Sequence, residues 1–152
     1  LVSEADGGTL FLDEIDELPG ETQVSILGLV QDRTYRPVGS NLEQHSDFRL
    51  IAASNQPIVE ILENGKLRKD LFHRIAHLQI HIPPLRERKE DIRPLALHIL
   101  NSLIEREEMR VHEIESAVFP VLSAWDWPGN IRELEAAIES AAFHASFRGR
   151  ES

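Results

Sequence analysis

The segment Thr9-Leu10-Phe11-Leu12-Asp13-Glu14 constrains the fold of this chain more than any other. A short apolar run passes directly into two adjacent carboxylates. A buried parallel strand delivers acids to the C-terminal edge of its sheet in this way, and that edge is where phosphate and Mg²⁺ chemistry is done. A second run, Arg49-Leu50-Ile51-Ala52-Ala53, ends in Ser54-Asn55. Together they predict an α/β core.

Asp6-Gly7-Gly8 marks a turn ahead of the first strand. Pro19 opens a helix at a permitted first-turn position, with Val24, Leu27 and Val30 on one face and Ile26 and Leu29 widening it. Tyr35, Val38, the Gly39-Ser40-Asn41 turn and Leu42 predict a hairpin within residues 34–47. Pro57 starts a short helix that stops at Asn64-Gly65. Residues 67–75 read as a helix. Residues 77–82 read as a strand with Leu78, Ile80 and Ile82 on one face, ended by Pro83-Pro84.

From residue 89 onward the pattern is helical. Ile92, Leu95, Ala96, Ile99, Leu100 and Leu103 make one apolar stripe. Ile114, Ala117, Val118, Val121 and Leu122 make a second, in which Pro120 predicts a kink or a late start. After the turn Asp126-Trp127-Pro128-Gly129-Asn130, a last helix capped by Asn130 carries Ile131, Leu134, Ala137, Ile138 and Ala141. The expected division is an α/β part over residues 1–84, a helical part over residues 85–148 and a frayed tail over residues 149–152.

A net charge of −10 opposes direct binding of duplex DNA, because phosphate contacts need a basic surface. The charge is uneven. Residues 1–32 hold eight acids and no Lys or Arg, whereas residues 66–93 hold eight Lys or Arg against four acids. That split fits an acidic catalytic edge and a basic edge facing anionic phosphates, although charge alone favours two solvated faces. The absence of Cys excludes disulfides and thiolate metal sites. The apolar runs are too short to span a membrane, and the chain opens without a signal-peptide pattern.

Neighbouring strand residues point to opposite faces, so Asp13 and Glu14 cannot share one task. In a phosphate site one acid holds Mg²⁺ through water, and the other polarises the attacking water. Taken alone, the pair is better explained as a strand end meeting solvent. Asp16 and Glu17, in the following turn, are expected to be solvated. Asn55 offers an uncharged donor and acceptor suited to orienting a water or sensing a γ-phosphate, although an Asn at a strand-to-turn junction is common.

Arg68 and Arg74, six apart and about 600° apart on one helix, point differently. One can reach a phosphate while the other holds a partner carboxylate. The plainer alternative is surface ion pairing with Asp70 or Glu63. Arg132 lies at a helix start, which already favours anions; its plain alternative is pairing with Glu133 or Glu135. Trp125 and Trp127 are expected in the helical core. His73, His77 and His81 are spaced by four but fall on different elements, so they read as partly exposed histidines and not as a metal site.

Five segments together resemble the AAA+ ATPase domain of bacterial sigma-54-dependent transcription activators, also called enhancer-binding proteins. They are Ala5-Asp6-Gly7-Gly8-Thr9-Leu10-Phe11-Leu12-Asp13-Glu14-Ile15, Phe48-Arg49-Leu50-Ile51-Ala52-Ala53-Ser54-Asn55, Gly65-Lys66-Leu67-Arg68-Lys69-Asp70-Leu71-Phe72-His73-Arg74, Pro83-Pro84-Leu85-Arg86-Glu87-Arg88 and Trp127-Pro128-Gly129-Asn130-Ile131-Arg132-Glu133-Leu134. Each is weak alone; the five in this order are specific and cover nearly the whole chain.

The resemblance implies a partial AAA+ P-loop core, with the third, fourth and fifth parallel strands and an inserted hairpin, followed by an all-helical lid. It implies that Asp13 and Glu14 are the Walker B acids, with Asp13 holding Mg²⁺ through water, and that Asn55 is sensor I. Arg68 and Arg74 are then the arginine-finger pair acting in trans, and Arg132 is sensor II. The implied cofactors are ATP and Mg²⁺. The implied partners are identical subunits in a ring, commonly a hexamer, and the sigma-54 RNA polymerase holoenzyme. DNA contact is expected only through a domain outside this chain, in the cytoplasm and with no membrane.

The departures from the family pattern are specific. The phosphate-cradling loop G-x-x-x-x-G-K-[ST] and the Gly-Ala-Phe-Thr-Gly-Ala loop that touches sigma-54 are both absent. Leu67 stands where the family usually has Phe, and Pro120 is unusual in the lid. The family sheet order is 5-1-4-3-2, so the first strand is expected between the strand ending at Asn55 and residues 77–82. The 152 residues alone are therefore expected either to leave a gap there or to repack with apolar edge exposed, and not to hydrolyse ATP. The rival readings are another AAA+ motor such as an unfoldase or helicase, a non-enzymatic interaction module, and a DNA-binding helix-turn-helix over residues 127–142.

Overall fold

Both apolar runs form strands, and they pair with each other. The computed structural model, which describes residues 2–37, 39–107, 111 and 113–148, divides into two units, Leu1–Ile80 and His81–Ser152. In the first unit the order is β1 (Thr9–Leu12), α1 (Gly20–Asp32), β2 (Thr34–Tyr35), β3 (Gln44–His45), β4 (Arg49–Ala52), α2 (Ile58–Glu63) and α3 (Lys69–Ile75). β1 and β4 run parallel in the register Thr9↔Arg49 to Leu12↔Ala52, so their C-terminal ends are level.

Strand alternation places Leu10, Leu12, Leu50 and Ala52 toward the core. Leu10 and Leu50 pack on Ala5, Leu29 and Phe48, whereas Leu12 and Ala52 pack on Ile15, Ile26, Ile61, Leu67 and Leu71. The same alternation points Phe11 and Ile51, direct register neighbours, outward at 57% and 41% exposure. The buried side chains of α1 are Gln23, Ile26 and Leu29, and Val24 is exposed. The helical stripe is thus turned from the expected face, with a glutamine in one of its inward positions.

The entry turns of the two strands are tied together. Asp6 Oδ1 accepts the Asp47 N–H at 2.7 Å, and the Gly7 N–H, at φ +69°, donates to the Asp47 carbonyl at 2.7 Å. Arg33 ends α1 in the left-handed region (φ 59°), donates to the Phe48 carbonyl at 2.6 Å and lies over the Phe48 ring at 5.1 Å. The expected hairpin forms from β2 and β3, paired antiparallel as Thr34↔His45 and Tyr35↔Gln44; Val38 lies outside the described residues. Pro57 precedes α2, which ends at Asn64 with Gly65 at φ +68°.

Two expectations for this region are corrected. Residues 77–82 belong to no sheet among the described residues, and Leu78, Ile80 and Ile82 are strongly exposed. Alternation sets which side chains share a face, but a strand also needs a neighbour to take its backbone bonds. The helix expected over residues 67–75 begins at Lys69: Arg68 is its extended N-cap (φ −63°, ψ 133°), and Leu67 is buried in the core. Arg68 and Arg74 are therefore not related by helical rotation.

The second unit contains α4 (Ile92–Glu107), α5 (Val118–Ala124) and α6 (Asn130–Arg148). The α4 stripe packs as expected, with Ile92, Ala96, Ile99, Leu100 and Leu103 buried and Leu95 beside them. Helix α5 starts late, placing Pro120 in its first turn, where its missing N–H costs nothing. Its buried anchor is Phe119, over which the Arg93 guanidinium lies at 4.5 Å; Val121 is exposed. On α6 the buried residues are Leu134, Ile138 and Ala142, and Ala137 and Ala141 face solvent. The tail expected over residues 149–152 lies outside the described residues.

Candidate active site at the strand edge

Because β1 and β4 end level, their polar tips emerge together. The Ala53 N–H donates to the Leu12 carbonyl at 2.8 Å, and the Ile15 N–H donates to the Ala53 carbonyl at 3.0 Å. These bonds carry the chain from β1 across the end of β4. Ile15 then drops into the core, so Asp13 and Glu14 form an exposed bridge over the strand ends.

Glu14 makes this bridge in the left-handed conformation (φ 49°, ψ 51°). A residue with a Cβ enters that region at a cost, and such positions cluster at functional sites. Asp13 Oδ1 accepts the Glu14 N–H at 3.0 Å, which leaves its second oxygen open. Asn55 Nδ2 stands 3.5 Å from Glu14 Oε1, at the outer limit of a hydrogen bond. An acid held at an unusual backbone angle thus faces an amide donor from the neighbouring strand, and both are open to solvent.

The turn after Glu14 overturns one expectation. Asp16 is only 4% exposed, and neither carboxylate oxygen has a hydrogen-bond partner among the described residues. The Ile15–Glu17 turn folds inward behind the core anchor Ile15, taking Asp16 with it. Glu17 is exposed, as expected, and pairs with Lys66 at 3.4 Å.

Arg68 is bound by Asp70. Nε donates to Oδ1 at 3.0 Å and Nη2 to Oδ2 at 2.7 Å, a two-pronged pair. The hydrogen bonds from Arg68 hold the Asp70 carboxyl below the usual range, and Asp70 in turn raises the Arg68 guanidinium above its own. Arg74, in the last turn of α3, is exposed and without a hydrogen-bonded or ionic partner among the described residues.

In the second unit, Arg132 is likewise exposed and unpartnered among the described residues. The turn before it is built to close tolerance. Glu133 takes the Gly129 N–H at 2.7 Å and the Trp125 indole N–H at 3.0 Å, and a Cβ on Gly129 would lie 2.8 Å from Glu133 Cβ. Trp127 is in the core, with its indole N–H on the Leu122 carbonyl at 2.7 Å, but Trp125 faces solvent. Asn130, expected to cap α6, sits at φ 54° and instead accepts the Leu85 N–H at 2.9 Å. The Glu133 carboxylate does the capping. A cleft of about 90 Å³ in this unit, lined by His98, Ser102, Arg106 and Glu139, is far smaller than the roughly 300 Å³ or more that ligand pockets occupy.

Within the first unit the structure brings Asp13, Glu14 and Asn55 to one edge and fixes Arg68 through Asp70. No three His, Asp or Glu residues among those described form a metal-binding group. Asp13, exposed with one oxygen free, fits the single water-mediated contact expected of Mg²⁺. Sequence reasoning missed Gln23 and Lys66, whereas the Arg68–Asp70 pair is the plainer alternative it had offered for that arginine. The one usable signal was a glutamine three and six residues before Ile26 and Leu29, in a position the core should claim.

Residues 1–81 match the family described as the sigma-54 interaction domain, and residues 86–149 match an AAA+ ATPase lid domain. The transcriptional regulatory protein ZraR of Klebsiella oxytoca is 45% identical over 138 residues, covering 91% of this chain and 31% of that protein. The nitrogen fixation protein AnfA of Azotobacter vinelandii is 40% identical, covering 91% and 26%. The crystal structure of NtrX from Brucella abortus matches with a TM-score of 0.90 at 32% identity, covering 95% of this chain and 33% of that one. NtrX in complex with ATP matches with a TM-score of 0.88 at 32% identity, covering 95% and 34%. The chain spans about a third of the length of the relatives it matches.

Proposed function

This chain belongs to the sigma-54 interaction domain family and continues into an AAA+ lid, and from that premise we propose that it is the Walker B-to-lid portion of a ring-forming ATPase that remodels sigma-54 RNA polymerase. Residues 1–84 are then the C-terminal part of the α/β subdomain and residues 85–148 the lid. The observation that carries the reading is Glu14, held in left-handed backbone with Asn55 beside it at the open edge of two level parallel strands.

In this reading Glu14 takes the proton of the attacking water, and Asn55 orients that water and holds Glu14 in place. Asp13 would hold Mg²⁺ through a water, and the ion would supply charge neutralisation on the phosphate oxygens. Arg68 and Arg74 reach the nucleotide of a neighbouring identical subunit, commonly one of six. For Arg68 that requires leaving Asp70, and a phosphate offers the same two-pronged geometry with more charge. Arg132, in the lid, is sensor II by the resemblance. DNA is contacted outside this chain, and no helix among the described residues is long and apolar enough to cross a membrane.

The 152-residue sequence contains no G-x-x-x-x-G-K-[ST] motif to cradle β- and γ-phosphates. In this reading the 152 residues alone do not hydrolyse ATP, and the test belongs to the full-length gene product. Arg68→Ala rings lose turnover by about 10³-fold or more, as expected for an arginine finger. Turnover returns when these subunits are mixed with Glu14→Gln subunits, which carry intact fingers. No recovery in the mixture would overturn the trans assignment.

A further inference from the structure

We propose that Gln23 is the positioning residue for Arg68, and that it ties the turn following Glu14 to the segment bearing that arginine; the proposal rests on the trans role of Arg68 stated above. Gln23 lies on α1, more than forty residues from Arg68, and is 3% exposed. Its carboxamide makes three hydrogen bonds. Nε2 donates to the Leu18 carbonyl at 2.9 Å and to the Lys66 carbonyl at 2.7 Å, and Oε1 accepts the Arg68 N–H at 2.9 Å.

Two carbonyls on one side and an N–H on the other fix the amide orientation without ambiguity. Toward Lys66 and Arg68, the side chain acts as a strand neighbour would, giving a donor to one residue and an acceptor to the residue two further on. Leu67, between them, is buried against Ile15, Ile26, Ile61 and Leu71. Gln23 by its hydrogen bonds and Leu67 by its burial thus hold the backbone of the segment that carries Arg68. Only a carboxamide of this length supplies both polarities at once. Glu loses the donors, and Asn is shorter by one methylene.

The third bond gives the clip its direction. Leu18 closes the inward turn that begins at Glu14. Lys66 reaches the same region with its side chain, donating to Glu17 at 3.4 Å and to Gln56 at 3.2 Å. The segment before Arg68 is therefore fastened to the turn after the acids and to the loop after Asn55. The acid edge that serves a subunit's own nucleotide and the arginine offered to the next subunit share one buried amide.

The test uses the full-length protein as rings of Gln23→Met, Arg68→Ala and Glu14→Gln subunits, alone and mixed. A misplacement near 1 Å costs about 10²-fold in rate, so Gln23→Met is expected to lower kcat by about that factor with KM for ATP near wild type. Mixing Gln23→Met with Glu14→Gln subunits is expected to restore turnover to the level reached by Arg68→Ala in the same mixture. A purely structural defect would stay with the Gln23→Met site and would not be rescued. Wild-type kcat in Gln23→Met, or loss without rescue while Arg68→Ala is rescued, overturns the proposal. Failure to rescue Arg68→Ala itself removes the trans reading and this proposal with it. Should Gln23→Met fail to fold, Gln23→Asn, which keeps the polar group but cannot span both carbonyls, is read by the same criteria.

Discussion

Asn55 faces Glu14 across the end of the parallel pair, its amide nitrogen 3.5 Å from the carboxylate oxygen. The two residues are 41 positions apart, and the level register of β1 and β4 brings them together. The contact is long enough for a water to compete for either partner. In the proposed reading, Asn55 orients the attacking water beside Glu14.

Replacing Asn55 by Ala should therefore act on the chemical step. In the full-length protein kcat is expected to fall by about 10²-fold with little change in KM for ATP, the pattern of an interaction lost mainly in the transition state. Steady-state phosphate release checks it. A change confined to KM would place Asn55 in binding only.

The Arg68–Asp70 pair predicts a pH dependence of stability. The Asp70 carboxyl is held below its ordinary value, chiefly by the hydrogen bonds from Arg68. Its contribution is present above the unfolded value near about pH 4 and is lost as pH falls through the lower folded value. The stability difference between wild type and Asp70→Asn, from urea unfolding of the 152-residue chain, should shrink toward zero on acidification through that window. A difference that stays constant would remove the pair from the energetics. Both groups are exposed, so the difference is small and screened by salt.

Phe11 and Ile51 predict behaviour of the isolated chain. They are adjacent across the strands and largely exposed. Two strands with open edges and an apolar outer face are a template for association. Sedimentation of the 152-residue polypeptide should show concentration-dependent self-association, reduced by the double substitution Phe11→Ser, Ile51→Ser. A monomer at all concentrations, for wild type and variant alike, would contradict this.

What the sequence made readable follows a physical line. β1, β4, the hairpin, the Pro57 and Gly65 punctuation of α2 and the α4 stripe were readable because local pattern and turn chemistry decide them. Residues 77–82 alternate as a strand does, but alternation cannot supply a ladder partner. Asp16 looked like a solvated turn residue, since nothing local shows that Ile15 pulls the turn inward. Asp13, Glu14 and Asn55 were legible as polar strand tips, but only the resemblance of the five segments singled them out as site residues, because a polar strand tip alone is equally a strand end meeting solvent. Gln23 was hidden because its partners, Leu18, Lys66 and Arg68, are assembled only by the packing of α1 beside α3.

The most direct measurement is of ATP binding and ATP hydrolysis by the full-length protein with Glu14→Gln, an isosteric change that removes only the base. Nucleotide affinity should stay near wild type while turnover falls by about 10²- to 10⁴-fold, the range a general base supplies. Hydrolysis at the wild-type rate in the Glu14→Gln protein would contradict the assignment of this strand edge as the catalytic centre.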